Sequence, residues 1–144
     1  MSATLKYQTS FDELNLTDCP QKNAIGKDCE AFRFCFDTLE HPDTWITQAE
    51  KFKREGTFPR ENTTTKRLCD SFGLSFFITE RAANAVWKAF SQRVKGKMGY
   101  TSLGKGQLLK TDGLCSPTEN SGHFNFFEFD QCNLSNRFVI HSKL

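Results

Sequence analysis

Apolar and polar residues alternate in several short stretches of this chain and elsewhere recur at three- and four-residue spacing. Residues 31–36, Ala-Phe-Arg-Phe-Cys-Phe, alternate cleanly. That predicts a strand with Phe32, Phe34 and Phe36 on one face and Arg33 and Cys35 on the other. Residues 74–78, Leu-Ser-Phe-Phe-Ile, predict a second strand. Helical spacing follows the His41-Pro42-Asp43 turn, where Trp45, Ile46, Ala49 and Phe52 form one stripe. Asp43 is the expected N-cap and Gly56 the expected stop. A second helix is expected after Thr79, with Ala82, Ala83, Val86, Trp87, Phe90 and Val94 inward, ending at Gly96 and Gly99.

Residues 10–16 predict a short strand or arm, 19–27 a loop, and 57–69 a long polar connection. The last third predicts a meander. Residues 100–110 are extended, Thr111-Asp112-Gly113 turns, 115–122 is a polar loop, and 123–129 and 137–141 are strands. Along Phe124-Asn125-Phe126-Phe127-Glu128-Phe129 the alternation slips at Phe126/Phe127, which predicts either a bulge or a strand covered on both faces. The expected class is α+β: a single-layer, mostly antiparallel sheet of about five strands packed with two amphipathic helices. Residues 1–144 are expected to form a single globular domain.

Composition sharpens this. The chain holds 15 Phe against 2 Tyr and 2 Trp. Phe carries a large apolar area and no polar atom, so the rings are expected to fill the core, and any left outside would mark a partner surface. A net charge of +2 leaves nucleic-acid binding to local clustering alone. The first residues show no apolar leader, and no run approaches the ~18 apolar residues that cross a bilayer. The expectation is a cytoplasmic protein without membrane contact. The six cysteines show no C-x-x-C spacing, and in such a compartment they are expected to be free, mostly buried thiols. No metal or cofactor is expected.

Three groups of residues could carry chemistry. Arg93, Lys95, Lys97, Lys105 and Lys110 run without an intervening acid and surround Tyr100. They suit an anion or nucleic-acid contact, with Tyr100 stacking on a base. Arg33, Ser75 and Glu128 sit inside apolar strands; buried charges need partners, so Arg33 and Glu128 are candidates to satisfy one another. Cys115, His123 and Asp112 could form a nucleophile, base and orienting acid.

The order Arg, Ser-bearing strand, helix, late Glu resembles that of the arginine–serine–glutamate ADP-ribosyltransferases. The segment Gly73-Leu-Ser-Phe-Phe-Ile-Thr-Glu-Arg-Ala82 is similar to the strand-then-helix unit of that fold. The resemblance implies that Arg33 holds dinucleotide phosphates, Ser75 supports the site and Glu128 stabilises an oxocarbenium ion. The family's Ser-Thr-Ser motif is absent, and Phe126 stands where the family has Glu or Gln two residues before its catalytic Glu.

With no catalytic signature, the leading expectation is a small protein-interaction module of immunity, antitoxin, adaptor or defence-component type. It would bind another protein through exposed Phe residues, the 57–69 loop and the basic edge. An ADP-ribosyltransferase-like enzyme or nucleotide binder using Arg33, Ser75 and Glu128 is the alternative, and nucleic-acid binding through residues 93–110 a further one. The interaction reading predicts an apolar patch; the enzyme reading predicts that Arg33, Ser75 and Glu128 share one cleft.

Overall fold

The alternating segment at 31–36 lies within a central strand, β1 (Cys29–Cys35), in a computed structural model that describes residues 3–144. The other strands are β2 (Leu74–Phe77), β3 (Ser102–Leu108), β4 (Gly113–Cys115), β5 (His123–Glu128) and β6 (Phe138–Lys143). They form one antiparallel sheet in the order β4-β5-β2-β1-β3-β6. The helices are α1 (Gln8–Glu13), α2 (Gln48–Glu55), α3 (Thr65–Asp70), α4 (Glu80–Ala89) and α5 (Gln92–Met98). The α+β class is as expected, with six strands rather than about five and five helices rather than two.

Each departure has a local cause. Residues 10–16 fall partly in α1, whose Phe11 is buried against Phe72. The helix expected from Asp43 starts instead at Gln48. Thr47 Oγ1 accepts the Glu50 N–H at 3.2 Å while the Glu50 carboxylate accepts the Thr47 N–H at 3.3 Å. This reciprocal cap satisfies two orphan donors at once, and Asp43 pairs with Arg54 at 2.8 Å instead. The helix expected from Thr79 breaks at Phe90, whose ψ of 141° is extended, and Ser91 restarts it by accepting the Val94 N–H at 3.2 Å. Thr64 caps α3 inside the segment read as a polar loop.

Pairing fixes which side chains share a face. Phe32 is opposite Phe77, and Phe77 opposite His123, so these lie on one face with Phe34, Ser75, Asn125 and Phe127. Helix α4 covers the β1–β3 side of that face, with Ala83 packed among Phe32, Phe77 and Leu103. Helices α1, α2 and α3 cover its β5 end, where Phe127 meets Phe11, Ala49 and Phe72. The opposite face buries Leu74, Phe76, Phe124, Phe126 and Phe138 in the largest cluster. Strand β5 is therefore covered on both faces, which explains the slipped alternation. The ladder irregularity falls elsewhere, between Leu103 and Gly104 of β3 against β6.

Two expectations are corrected by packing. No Phe is exposed: each is buried or half-buried, so no ring stands out from the surface as a ready contact. Nor are the cysteines all free. Cys19 and Cys69 form a disulfide across 50 residues, their Cα atoms 5.5 Å apart, a separation that suits bridging. The bond ties the loop after α1 to α3, a long-range contact that no local spacing announces. Cys29, Cys35, Cys115 and Cys132 remain free thiols. Among the described residues no helix is long and apolar enough to cross a membrane.

Candidate functional site

Strands β1 and β2 register at a single position, Phe32 opposite Phe77, and part beyond it. Arg33 spans the opening. Its Nε donates to the Thr44 carbonyl at 2.9 Å, Nη1 to the Ser75 carbonyl at 2.9 Å and Nη2 to the Ile46 carbonyl at 3.4 Å. The guanidinium also lies over the rings of Trp45 and Phe76, at 5.9 and 5.6 Å. Burial draws its pKa down, and the nearby Tyr100 and Glu128 oppose that shift; a guanidinium nevertheless stays charged in proteins. Arg33 thus clamps the 44–46 segment to β2.

Next to this clamp the sheet forms the floor of a cleft between the two groups of helices. Ser75, His123 and Asn125 lie on the floor. One lobe, of ≈ 520 Å³, is walled by Phe52, Phe58 and Leu68, with Arg60 and Arg67 at its rim. A second, of ≈ 340 Å³, is walled by Phe34, Phe77, Val86, Phe90 and Tyr100 and is reached by Arg33. Both lobes are lined by Gln48, Ser75, Glu119 and His123.

The polar groups on the floor are connected. Ser75 Oγ and His123 Nε2 are 3.0 Å apart, and His123 Nδ1 lies 3.0 Å from Glu119 Oε2. A carboxylate only accepts hydrogen bonds, so in the neutral ring Nδ1 carries the hydrogen and Nε2 is left to accept from the serine. Serine stands exposed on a strand whose neighbours Leu74 and Phe76 are buried. Glu119 reaches back over His123 because the turn between them is tight: the Glu119 N–H donates to the His123 carbonyl at 2.8 Å and the Gly122 N–H to the Glu119 carbonyl at 2.9 Å. Gly122 has φ +85°, and a Cβ there would meet the Ala82 Cβ at 2.5 Å. Glycine is what lets the turn close onto α4.

The residues singled out in the sequence are only partly brought together. Arg33 and Ser75 border one cleft; Glu128 does not reach it. Glu128 projects from the same face of the sheet as Arg33 but at the far end of β5, 3.7 Å from Lys6, and burial raises its pKa. Glu61, Asp70 and Glu119 all line the cleft, and Glu119 is the carboxylate bonded to His123; in the sequence it reads as an ordinary solvated acid, and its spacing of four residues from His123 is the available signal. The Cys115–His123–Asp112 set is not assembled: Cys115 is buried beside Cys29, and Arg137 pairs with Asp112.

The basic tract is dispersed as well. Arg93, Lys95 and Lys97 lie on α5, with Lys95 over the Trp87 ring. Tyr100 packs against Phe34 and Phe36. Lys105 pairs with Glu30 at 3.6 Å, and the Lys110 backbone is held by Asp28 beyond the far end of β3. About 20 Å of strand separates the two ends of the tract at 3.3 Å per residue. Among the described residues no group of three or more His, Cys, Asp or Glu is placed to hold a metal. Comparison with family models, with curated proteins and with solved structures yields no match for this chain.

Proposed function

We propose that the cleft binds a pyridinium dinucleotide and that the chain is an ADP-ribosyltransferase-like enzyme working there. The observation that carries this reading is the meeting of Arg33 and Ser75 at one cleft, the serine standing between two aromatic-walled lobes. A dinucleotide has two flat rings joined by an anionic linker. Aromatic walls on both sides of Ser75 suit the rings, and Arg60 and Arg67 suit the linker. The roles differ from those the resemblance implied. Arg33 positions the floor through backbone carbonyls, and Glu119 replaces Glu128 as the carboxylate of the cleft, where it orients His123.

Calorimetric titration with NAD, followed by an assay for released nicotinamide, tests the reading. Binding and release are expected for the wild-type chain, with release slowed in Glu119→Gln and kept in Glu128→Gln. Absence of binding at millimolar NAD would overturn it.

A protein partner is the second reading, moved from the aromatic surface to the sheet edge. Strand β6 is an outer strand whose Val139 and Ile140 are 63% and 40% exposed, and an open edge offers unpaired backbone groups to another chain. Single substitution Val139→Lys is expected to abolish such an association while leaving the cleft unchanged; persistence of the complex would discard this reading.

A further inference from the structure

We propose that Ser75 is a covalent nucleophile, with His123 as its base and Glu119 as the residue that positions the base. The argument begins with connectivity. Oγ, Nε2, Nδ1 and Oε2 form an unbroken chain of two 3.0 Å hydrogen bonds. Glu119 fixes the ring so that Nε2 faces the hydroxyl as an acceptor, the arrangement by which a weakly acidic hydroxyl is made nucleophilic.

Placement supports the same role. The hydroxyl belongs to an exposed residue on the cleft floor, whereas the imidazole side chain is only 21% exposed. The nucleophile therefore faces the ligand and the base is shielded behind it. The serine backbone is held still by the Arg33 hydrogen bond to its carbonyl at 2.9 Å and by buried residues on either side. Such fixing keeps a reacting atom in position.

The chemistry rests on the dinucleotide reading. Ser75 Oγ attacks the anomeric carbon of the ribose that bears the nicotinamide ring. The O–C bond forms as the glycosidic C–N bond breaks, and the electron pair returns to the ring nitrogen, so nicotinamide leaves neutral. The serine proton passes to Nε2, giving an imidazolium beside the Glu119 carboxylate. In the second step water or an acceptor hydroxyl displaces Oγ at the same carbon. The imidazolium returns its proton to Oγ, and the acceptor's proton is released to bulk water. Two displacements at one carbon retain its configuration.

A fluorophosphonate probe tests the nucleophile without any dinucleotide. Wild-type chain is expected to be labelled at Ser75, as read by peptide mass spectrometry. Labelling is expected to slow by about 10²–10⁴-fold in His123→Gln, to slow less in Glu119→Gln, and to vanish in Ser75→Ala with an unchanged melting temperature. No labelling, or equal rates in wild type and His123→Gln, overturns the proposal. Acid quenching after incubation with NAD is expected to leave an ADP-ribosyl group on the Ser75 peptide. Binding of NAD without fluorophosphonate labelling defeats the nucleophile alone. Labelling without NAD binding defeats the dinucleotide reading and leaves Ser75 as a nucleophile toward another electrophile.

Discussion

Arg33 and Glu128 project from the same face of the sheet and are equally buried, each 6% exposed, yet neither serves as the other's ion-pair partner. Three backbone carbonyls take the guanidinium donors, and Lys6 is the cation nearest the carboxylate at 3.7 Å. The two buried charges therefore fail differently when altered. One has a bond from each of its three nitrogens; the other has an oxygen, Oε1, without a hydrogen-bond partner.

Replacing Arg33 should be costly. Arg33→Lys keeps a positive charge but loses the planar fork that reaches Thr44, Ser75 and Ile46 together. A loss of about 3 kcal/mol is expected, in the range seen when a buried charge network is broken. Urea denaturation measures it, and a cost below about 1 kcal/mol would show that the clamp is dispensable.

Glu128→Gln should stabilise the chain at neutral pH, by about 1 kcal/mol, because burial disfavours the charged form that the glutamine removes. The pH dependence follows from the direction of the shift. The folded-state pKa is raised above the unfolded value, so between the two the folded chain binds more protons than the unfolded one. Stability from this group is present below the unfolded pKa, about 4.3, and is lost as pH rises through the folded one. Melting temperatures of wild type and variant should converge near pH 4 and diverge toward pH 7.

Reduction of Cys19–Cys69 should destabilise the fold by about 4 kcal/mol, the loop-entropy value for a closure of this length. Thiol titration of natively isolated chain should give four free thiols rather than six. Since such bonds persist in oxidising compartments, that titration also decides between the bridged state and the cytoplasmic placement expected from the sequence.

Cys29 should be the reactive thiol. Its pKa is lowered to about 7, chiefly by the Cys115 thiol donating to the thiolate, against the opposing effect of burial. Burial pushes Cys35 up to about 11 and Cys132 up to about 12. Iodoacetamide at pH 7.5 should modify Cys29 well before the other two, since the thiolate is the nucleophile. Peptide mapping over a time course reads the order.

Strands carried most of the legible information. The alternation at 31–36 marked a strand and its two faces, whereas the apolar runs at 74–78 and 123–129 marked strands without assigning faces, because a strand covered on both sides loses its two-residue period. The helices were harder. Thr47 displaced Asp43 as a cap through a reciprocal bond with Glu50, and Phe90 ended a pattern that still read as periodic through Val94. At the cleft, Ser75 was visible as a polar residue in an apolar strand, but its neighbour His123 depends on strand register across 48 residues. Glu119 looked like an ordinary loop acid. Likewise the Cys19–Cys69 bond arises only after α1 and α3 converge on Phe72.

The single register position between β1 and β2 divides the sheet into two three-stranded leaves, β4-β5-β2 and β1-β3-β6. A seam this short gives each leaf its own cooperative unit of opening. Amide exchange should therefore resolve two protection classes along one continuous sheet, meeting at Phe32 and Phe77. Occupation of the cleft, which lies across that seam, should merge them into one.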